Sequence, residues 1–371
     1  MASSATGPTA SLKVASARLS ISGRPDPTER LSKAEPFSLV DLQSRVVRYL
    51  RVSVTDRCNY RCRYCMPAEG VQVLPRDELL NFDEITRLVR VFVGLGVRRV
   101  RLTGGEPLVR RGIVELVERI ASIDGVEDLA ATTNAHLLPE LAGPLRRAGL
   151  QRLNVSLDSL DPKVFAEMTR HGDLATVLQG IEAATDAGFE NIKINTVVLR
   201  GHNDDGLDAM LRFAAEQGHV LRLIEYMPIG VDDAWGPETF ISAEEMRGSL
   251  EERWHFEAGV AASVSGGGPA RYWRAHPRSV EVASAPVEVG FITAISDHFC
   301  AQCNRVRLSP MGTLRECLSS AGTLSLRDMV RAGQDDDAIA DAIQAALLGK
   351  VDGHRFGDGV GTFESMSAIG G

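Results

Sequence analysis

From residue 46 the chain alternates short apolar runs with longer segments in which apolar residues recur every three or four positions, the pattern of parallel βα units. The spacing predicts strands over 46–54, 97–103, 129–133, 153–157, 192–199 and 221–224. Between them lie amphipathic helices, one carrying Ile85, Leu88, Val89, Phe92 and Leu95 behind an acidic first turn of Asp83 and Glu84. Six such repeats predict an α/β fold on a curved parallel sheet, a partial (β/α)6 barrel of the TIM type. After Pro228 the rhythm breaks. A helical pattern over 243–254 leads to a glycine-rich turn at 265–269, then to strand patterns from Tyr272, over 279–282, 287–295 and 305–308, and to a helical stretch over 325–346. The chain therefore divides into a disordered leader over 1–40, a barrel over 41–228 and an α+β extension over 229–371 that closes the barrel.

Of the 371 residues, 44% are apolar, 24% charged and 5% aromatic, which excludes disorder, collagen and a membrane bundle for most of the chain. No run reaches the ~18 apolar residues that a spanning helix needs, so no membrane insertion is expected. A formal charge of −8 argues against nucleic-acid binding, and any anionic ligand must be held by a local group of cations. The leader has no acidic residue before Asp26 and is rich in Ala, Ser, Thr, Gly and Pro. It reads as a disordered segment of a cytoplasmic protein, or as a presequence directing the chain to the mitochondrial matrix.

The six cysteines fall in two triplets: Cys58, Cys62 and Cys65, then Cys300, Cys303 and Cys317. Tight spacing in a large chain reads as metal binding and not as a disulfide framework. The first triplet, Cx3CxxC, follows the first predicted strand, where parallel folds build their active sites. Three thiolates hold three irons of a [4Fe–4S] cluster and leave the fourth open. A structural metal knot completed by another His or Asp is the alternative, and for the second triplet a zinc ribbon completed by His298. In Gly104-Gly105-Glu106-Pro107 after the second strand, the missing side chains of the two glycines let backbone approach a ligand closely, or the pair serves only as a turn between strand and helix. Arg305 and Arg307 alternate so that both guanidinium groups can lie on one face of a strand, a fork suited to phosphate beside the cysteines, or else a solvated surface pair. Arg51, Arg99, Arg101, Lys193 and Arg222 lie on or near predicted strands, where charge requires an anionic partner.

The frame from Thr55 through Cys58, Tyr64 and Cys65 to Pro67, with the Gly-Gly-Glu-Pro turn, Asn154-Val-Ser-Leu-Asp158, Glu225-Tyr-Met-Pro228, the second triplet and the terminal Gly370-Gly371, resembles the radical S-adenosylmethionine (SAM) superfamily. More narrowly it resembles the GTP 3′,8-cyclase (MoaA) family of molybdenum-cofactor biosynthesis, from about residue 48 to the end. The resemblance implies two [4Fe–4S] clusters, on Cys58, Cys62 and Cys65 and on Cys300, Cys303 and Cys317, with SAM contacts at Tyr64, Gly105, Ser156 and Met227. It implies GTP contacts at Arg51, Arg101, Thr132, Lys193, Arg305, Val306 and Arg307, and a catalytic tail at Gly370 and Gly371. The implied reaction passes through a 5′-deoxyadenosyl radical to (8S)-3′,8-cyclo-7,8-dihydroguanosine 5′-triphosphate. An external one-electron reductant and coupling to the cyclic pyranopterin monophosphate synthase come with it, and the barrel's exposed edges leave room for a homodimer. Another two-cluster radical SAM enzyme, such as a peptide maturase, and a zinc-binding interaction module are the alternative readings. Ala135 stands where the family usually has glycine after Thr132-Thr133-Asn134, a departure that costs energy if the backbone there has φ above zero.

Overall fold

The computed structural model describes residues 38–230, 235–259, 268–283, 285–322, 324–356 and 366–369. Most of the expected leader and the terminal Gly370-Gly371 lie outside them. Six parallel strands, β1 (Tyr49–Ser53), β2 (Arg99–Thr103), β3 (Asp128–Thr133), β4 (Arg152–Ser156), β5 (Lys193–Val198) and β6 (Val220–Glu225), follow one another in chain order across the sheet. Helices α1 (Phe82–Gly94), α2 (Ile113–Ala121), α3 (Leu138–Arg147), α4 (Pro162–Thr169), α5 (Leu174–Asp186) and α6 (Leu207–Gln217) make the crossovers. The start of α1 is fixed by a capping box, in which Asn81 accepts from the Glu84 amide and Glu84 accepts from the Asn81 amide.

The two faces of these strands have opposite chemistry because side chains alternate. Leu50, Val52, Val100, Leu102, Leu153, Val155, Ile194, Leu221 and Leu223 are all at most 1% exposed. They form one core with Leu88, Val89 and Phe92 of α1, Leu116 and Ile120 of α2 and Val177 of α5. Fully burying each such side chain contributes about 1.5–3 kcal/mol, so this face holds the helices on. The intervening positions carry Arg51, Arg101, Arg152, Asn154, Lys193, Asn195 and Arg222, and all of these line a cavity on the concave side.

The C-terminal region comprises α7 (Ala243–Leu250), β7 (Trp254–Ala258), β8 (Arg271–Pro277), β9 (Val287–Ile292), β10 (Arg305–Leu308), β11 (Thr313–Arg315), β12 (Leu324–Ser325), α8 (Leu326–Arg331), α9 (Asp336–Leu347) and α10 (Met366–Ile369). Its strands join the same sheet at both ends, giving the order β12-β11-β10-β1-β2-β3-β4-β5-β6-β9-β8-β7. β10 runs parallel to β1, with Arg305 opposite Tyr49 and Arg307 opposite Arg51, and β9 runs parallel to β6. The barrel is therefore partial, as expected, but the extension lengthens it at both edges, and among the described residues no strand pairing joins those edges. Three local expectations change. Residues 279–282 form a turn, Trp254 opens β7 and does not continue α7, and the long helical stretch is two helices separated at 332–335. Among the described residues no helix is long and apolar enough to cross a membrane.

Candidate active site

The loop after β1 carries the first three cysteines and is folded by its own polar groups. Asp56 is buried and accepts from the Leu74 amide at 2.6 Å. The Cys65 and Met66 amides both donate to the Cys62 carbonyl, at 2.9 and 3.2 Å, which turns the chain so that Cys58, Cys62 and Cys65 all line the cavity. Burial pushes the Cys58 thiol up to about 11. Burial also raises Cys62 well above the usual range, with Asp158, Cys65 and Cys58 adding to the effect. Three adjacent thiols in such a place ionise only beside a strongly cationic group, and an iron–sulfur core that takes one thiolate per iron fits this donor set.

The glycine turn after β2 is stitched to that loop. Gly105 donates its amide to the Thr55 carbonyl and Glu106 to the Arg57 carbonyl, both at 2.8 Å. A β-carbon on Gly105 would stand 2.3 Å from the Arg57 carbonyl oxygen, so only glycine allows the approach. Glu106 is buried and accepts from Leu108, from the Thr133 hydroxyl and from the Asn134 amide. Burial raises its carboxyl to about 7 against those bonds. Across the mouth the Tyr64 hydroxyl donates to Asp158 at 2.8 Å. Burial raises Asp158 to about 6, although Tyr64 and the Val197 amide act to lower it.

The second triplet approaches from the other edge. Cys300 begins a short 3-10 turn (Cys300–Gln302), Cys303 precedes β10 and Cys317 follows β11. Two buried cations hold the backbone around them. Arg45, paired with Asp41, donates to the carbonyls of Cys300 and Asp352, at 2.9 and 3.0 Å. Lys350, 3% exposed, donates to the carbonyl of Arg305 at 2.8 Å and to that of Glu316. Burial would raise the Cys303 thiol, but Arg305 and Lys350 more than offset it and the thiol lies below its ordinary value. Among the described residues no three His, Cys, Asp or Glu are gathered as they would be around a single ion.

Between the triplets lies a floor of cations. Strand register sets Arg307, Arg51 and Arg101 side by side on β10, β1 and β2. Burial lowers Arg51 strongly, and Arg307, Arg101 and Arg305 add to this while Tyr49 opposes it. Burial, with Arg305 nearby, pushes Arg307 down to about 10. Burial, then Arg222, Arg152 and Arg101, bring Lys193 down to about 7. Asp128 neutralises one of these cations, pairing with Arg152 through both carboxylate oxygens. So concentrated a field of buried positive charge favours the neutral form of Lys193 and makes the cavity attractive to an anion.

All six cysteines, Tyr64, Gly105, Ser156, Met227, Arg51, Arg101, Thr132, Lys193, Arg305 and Arg307 line one cavity of about 320 Å³. Val306 differs: its side chain, 1% exposed, packs in the apolar core on the opposite face of β10. Arg222 lines the cavity and Arg99 does not. Gly370 and Gly371 lie outside the described residues. Just before them, the Met366 amide donates to the Cys65 carbonyl at 3.3 Å and Ile369 packs with Ile229 and Phe356. Sequence reasoning missed Tyr49, Arg152, Asn195 and Tyr272 as cavity residues. For the first three, counting by twos along β1, β4 and β5 from Arg51, Asn154 and Lys193 would have found them.

A partial parallel barrel whose first strand feeds a three-cysteine loop over a cavity at the sheet's C-terminal ends defines a radical SAM protein. The model of the radical SAM superfamily matches residues 52–214, and that of molybdenum cofactor synthesis C matches residues 219–356. The fold is shared with Streptococcus suis SuiB bound to its precursor peptide SuiA, with TM-score 0.56 at 14% identity over 84% of this chain and 72% of that one. Curated relatives named GTP 3′,8-cyclase are much nearer in sequence. That of Pelotomaculum thermopropionicum is 44% identical over 331 residues, 89% of this chain and 99% of its own length. That of Pseudomonas entomophila is 46% identical over 341 residues, 91% of this chain and 99% of its own length. The chain belongs to the GTP 3′,8-cyclase family. A [4Fe–4S] cluster and SAM come with membership of the superfamily.

Proposed function

We propose that this protein is a GTP 3′,8-cyclase, converting GTP to (8S)-3′,8-cyclo-7,8-dihydroguanosine 5′-triphosphate in the first step of molybdopterin biosynthesis. The observation that carries the reading is that both cysteine triplets and seven Lys and Arg side chains line one cavity. Cys58, Cys62 and Cys65 would hold the cluster that binds SAM, with Tyr64, Gly105, Ser156 and Met227 around it. When bound, cluster and SAM supply one-electron cleavage that yields a 5′-deoxyadenosyl radical. Arg51, Arg101, Lys193, Arg305 and Arg307 bind the triphosphate, and Thr132 completes the nucleotide contacts. Cys300, Cys303 and Cys317 would hold a second [4Fe–4S] cluster, which would supply an open iron for the purine. With the triphosphate held by the arginines and Lys193, the cavity walls would orient the ribose and exclude water that would quench a radical. An external one-electron reductant, transfer of product to the cyclic pyranopterin monophosphate synthase, and insertion of Gly370-Gly371 into the cavity belong to the same reading.

The test is anaerobic reconstitution followed by assay of iron, sulfide and products. About eight irons per chain are expected from two clusters, with 5′-deoxyadenosine released on addition of SAM, reductant and GTP together with the cyclised nucleotide. The Cys303→Ala protein should still cleave SAM and yield no cyclised product. Zinc in place of iron, or cyclisation by Cys303→Ala, would overturn the assignment.

A further inference from the structure

Helix α4 ends at Thr169, and the chain leaves it through Arg170 with φ +62° and ψ −30°. Left-handed backbone favours glycine, with asparagine next, so the turn itself does not call for arginine. What arginine adds is its side chain. The half-buried guanidinium reaches across to the cysteine loop and donates through Nη1 to the carbonyls of Arg61, at 3.2 Å, and Met66, at 3.0 Å. Those two carbonyls bracket Cys62 and Cys65. The same helix end extends the contact, because the Arg61 amide donates to Thr169 and the Arg63 amide to Met168, at 3.0 and 2.9 Å. The Cys58 end of the loop is held separately, by Arg61 donating to the Cys58 and Tyr60 carbonyls.

We propose that Arg170 is a positioning residue for the first cluster, holding residues 61–66 so that Cys62 and Cys65 present their sulfurs to the iron. It acts through the two carbonyls and touches neither thiol. The proposal rests on the reading of Cys58, Cys62 and Cys65 as cluster ligands. It differs from a packing role because the positive-φ turn is better served by glycine, whereas the two hydrogen bonds to the loop require the arginine side chain.

Arg170→Gly accepts the left-handed backbone and deletes the clamp, while Arg170→Lys keeps a cation of shorter reach. In the full-length anaerobic protein, Arg170→Gly should melt no lower than the parent before reconstitution. It should then lose first-cluster iron to a chelator about 10–100-fold faster, the scale set by removing an outer partner of a metal ligand. The change in the electron paramagnetic resonance signal on adding SAM should be altered too, and hydrogen exchange of amides 61–66 in the apoprotein should quicken. Arg170→Lys should recover part of each. If Arg170→Gly fails to fold, Arg170→Asn, also at ease with this φ, provides the same comparison. Unchanged iron release and an unchanged SAM response would overturn the proposal, as would a fall in melting temperature that accounts for the iron lost. Failure of the parent protein to bind iron would instead refute the functional reading before any variant is compared.

Discussion

Lys193 gives the sharpest quantitative test of the cationic floor. Burial and then Arg222, Arg152 and Arg101 bring its ammonium to about 7, from an ordinary value near 10.5. On the proposed reading a bound triphosphate meets Lys193 and reverses the balance, because the charged form then faces an anion, and the group should return towards its ordinary range. Nucleotide binding above pH 7 must therefore take up a proton, and the apparent affinity must fall as pH rises. With a free pKa near 7, about a quarter of Lys193 is protonated at pH 7.5 and about 1% at pH 9.0, so GTP should bind about twentyfold more weakly at the higher pH. The window avoids the terminal phosphate, which ionises near pH 6, and stops short of Arg222 and Arg307, which are pushed down to about 10. Anaerobic calorimetry at pH 8.5 in two buffers of different ionisation enthalpy should report uptake of about one proton per GTP. Lys193→Arg keeps its charge throughout the window, so it should show a pH dependence below about threefold and little uptake. Equal affinity at pH 7.5 and 9.0 with no proton uptake by the parent protein would refute the reasoning.

Three further outcomes follow from individual contacts. Gly105→Ala places a β-carbon 2.3 Å from the Arg57 carbonyl oxygen, so the cysteine loop must shift; SAM affinity should fall at least about tenfold, equivalent to 1.4 kcal/mol, and unchanged affinity would show that the approach is not required. Ala135 adopts φ +65° and is fully buried, so Ala135→Gly should relieve about 1 kcal/mol of backbone strain while losing about 0.8 kcal/mol of methyl burial. Denaturant unfolding should then move by less than about 1 kcal/mol, and a loss above about 2 kcal/mol would mean that the methyl group, and not the backbone, sets the turn. Lys350→Met removes donors from the buried Arg305 and Glu316 carbonyls and should cost about 2–3 kcal/mol in thermal or denaturant unfolding; no change would show that water replaces the ammonium at little cost.

The order of strands and helices up to residue 228 was legible because each strand's outward side chains repeat every two residues and each helix's apolar face repeats at helical spacing. The cysteine spacing and the glycine turn were legible for a related reason: local chain geometry limits which residues can do that chemistry. The arginines on strands were visible as anomalies, since burying a charge is costly unless it is paired and hydrogen-bonded. Tertiary structure decided the rest. That β9 and β10 lengthen the barrel at opposite edges depends on pairing between residues some 70 and 250 positions apart, and no local pattern specifies such partners. The same pairing brings Arg307 beside Arg51, turns Val306 into the core, and places Lys350 and Arg45 behind the second triplet. It also puts Arg170 across from the cysteine loop, a contact that depends on where α4 packs. Sequence alone determined which groups were present and which way they alternate. Only the folded sheet determined which of them meet, because contact across the barrel is set by strand pairing and packing and not by separation along the chain.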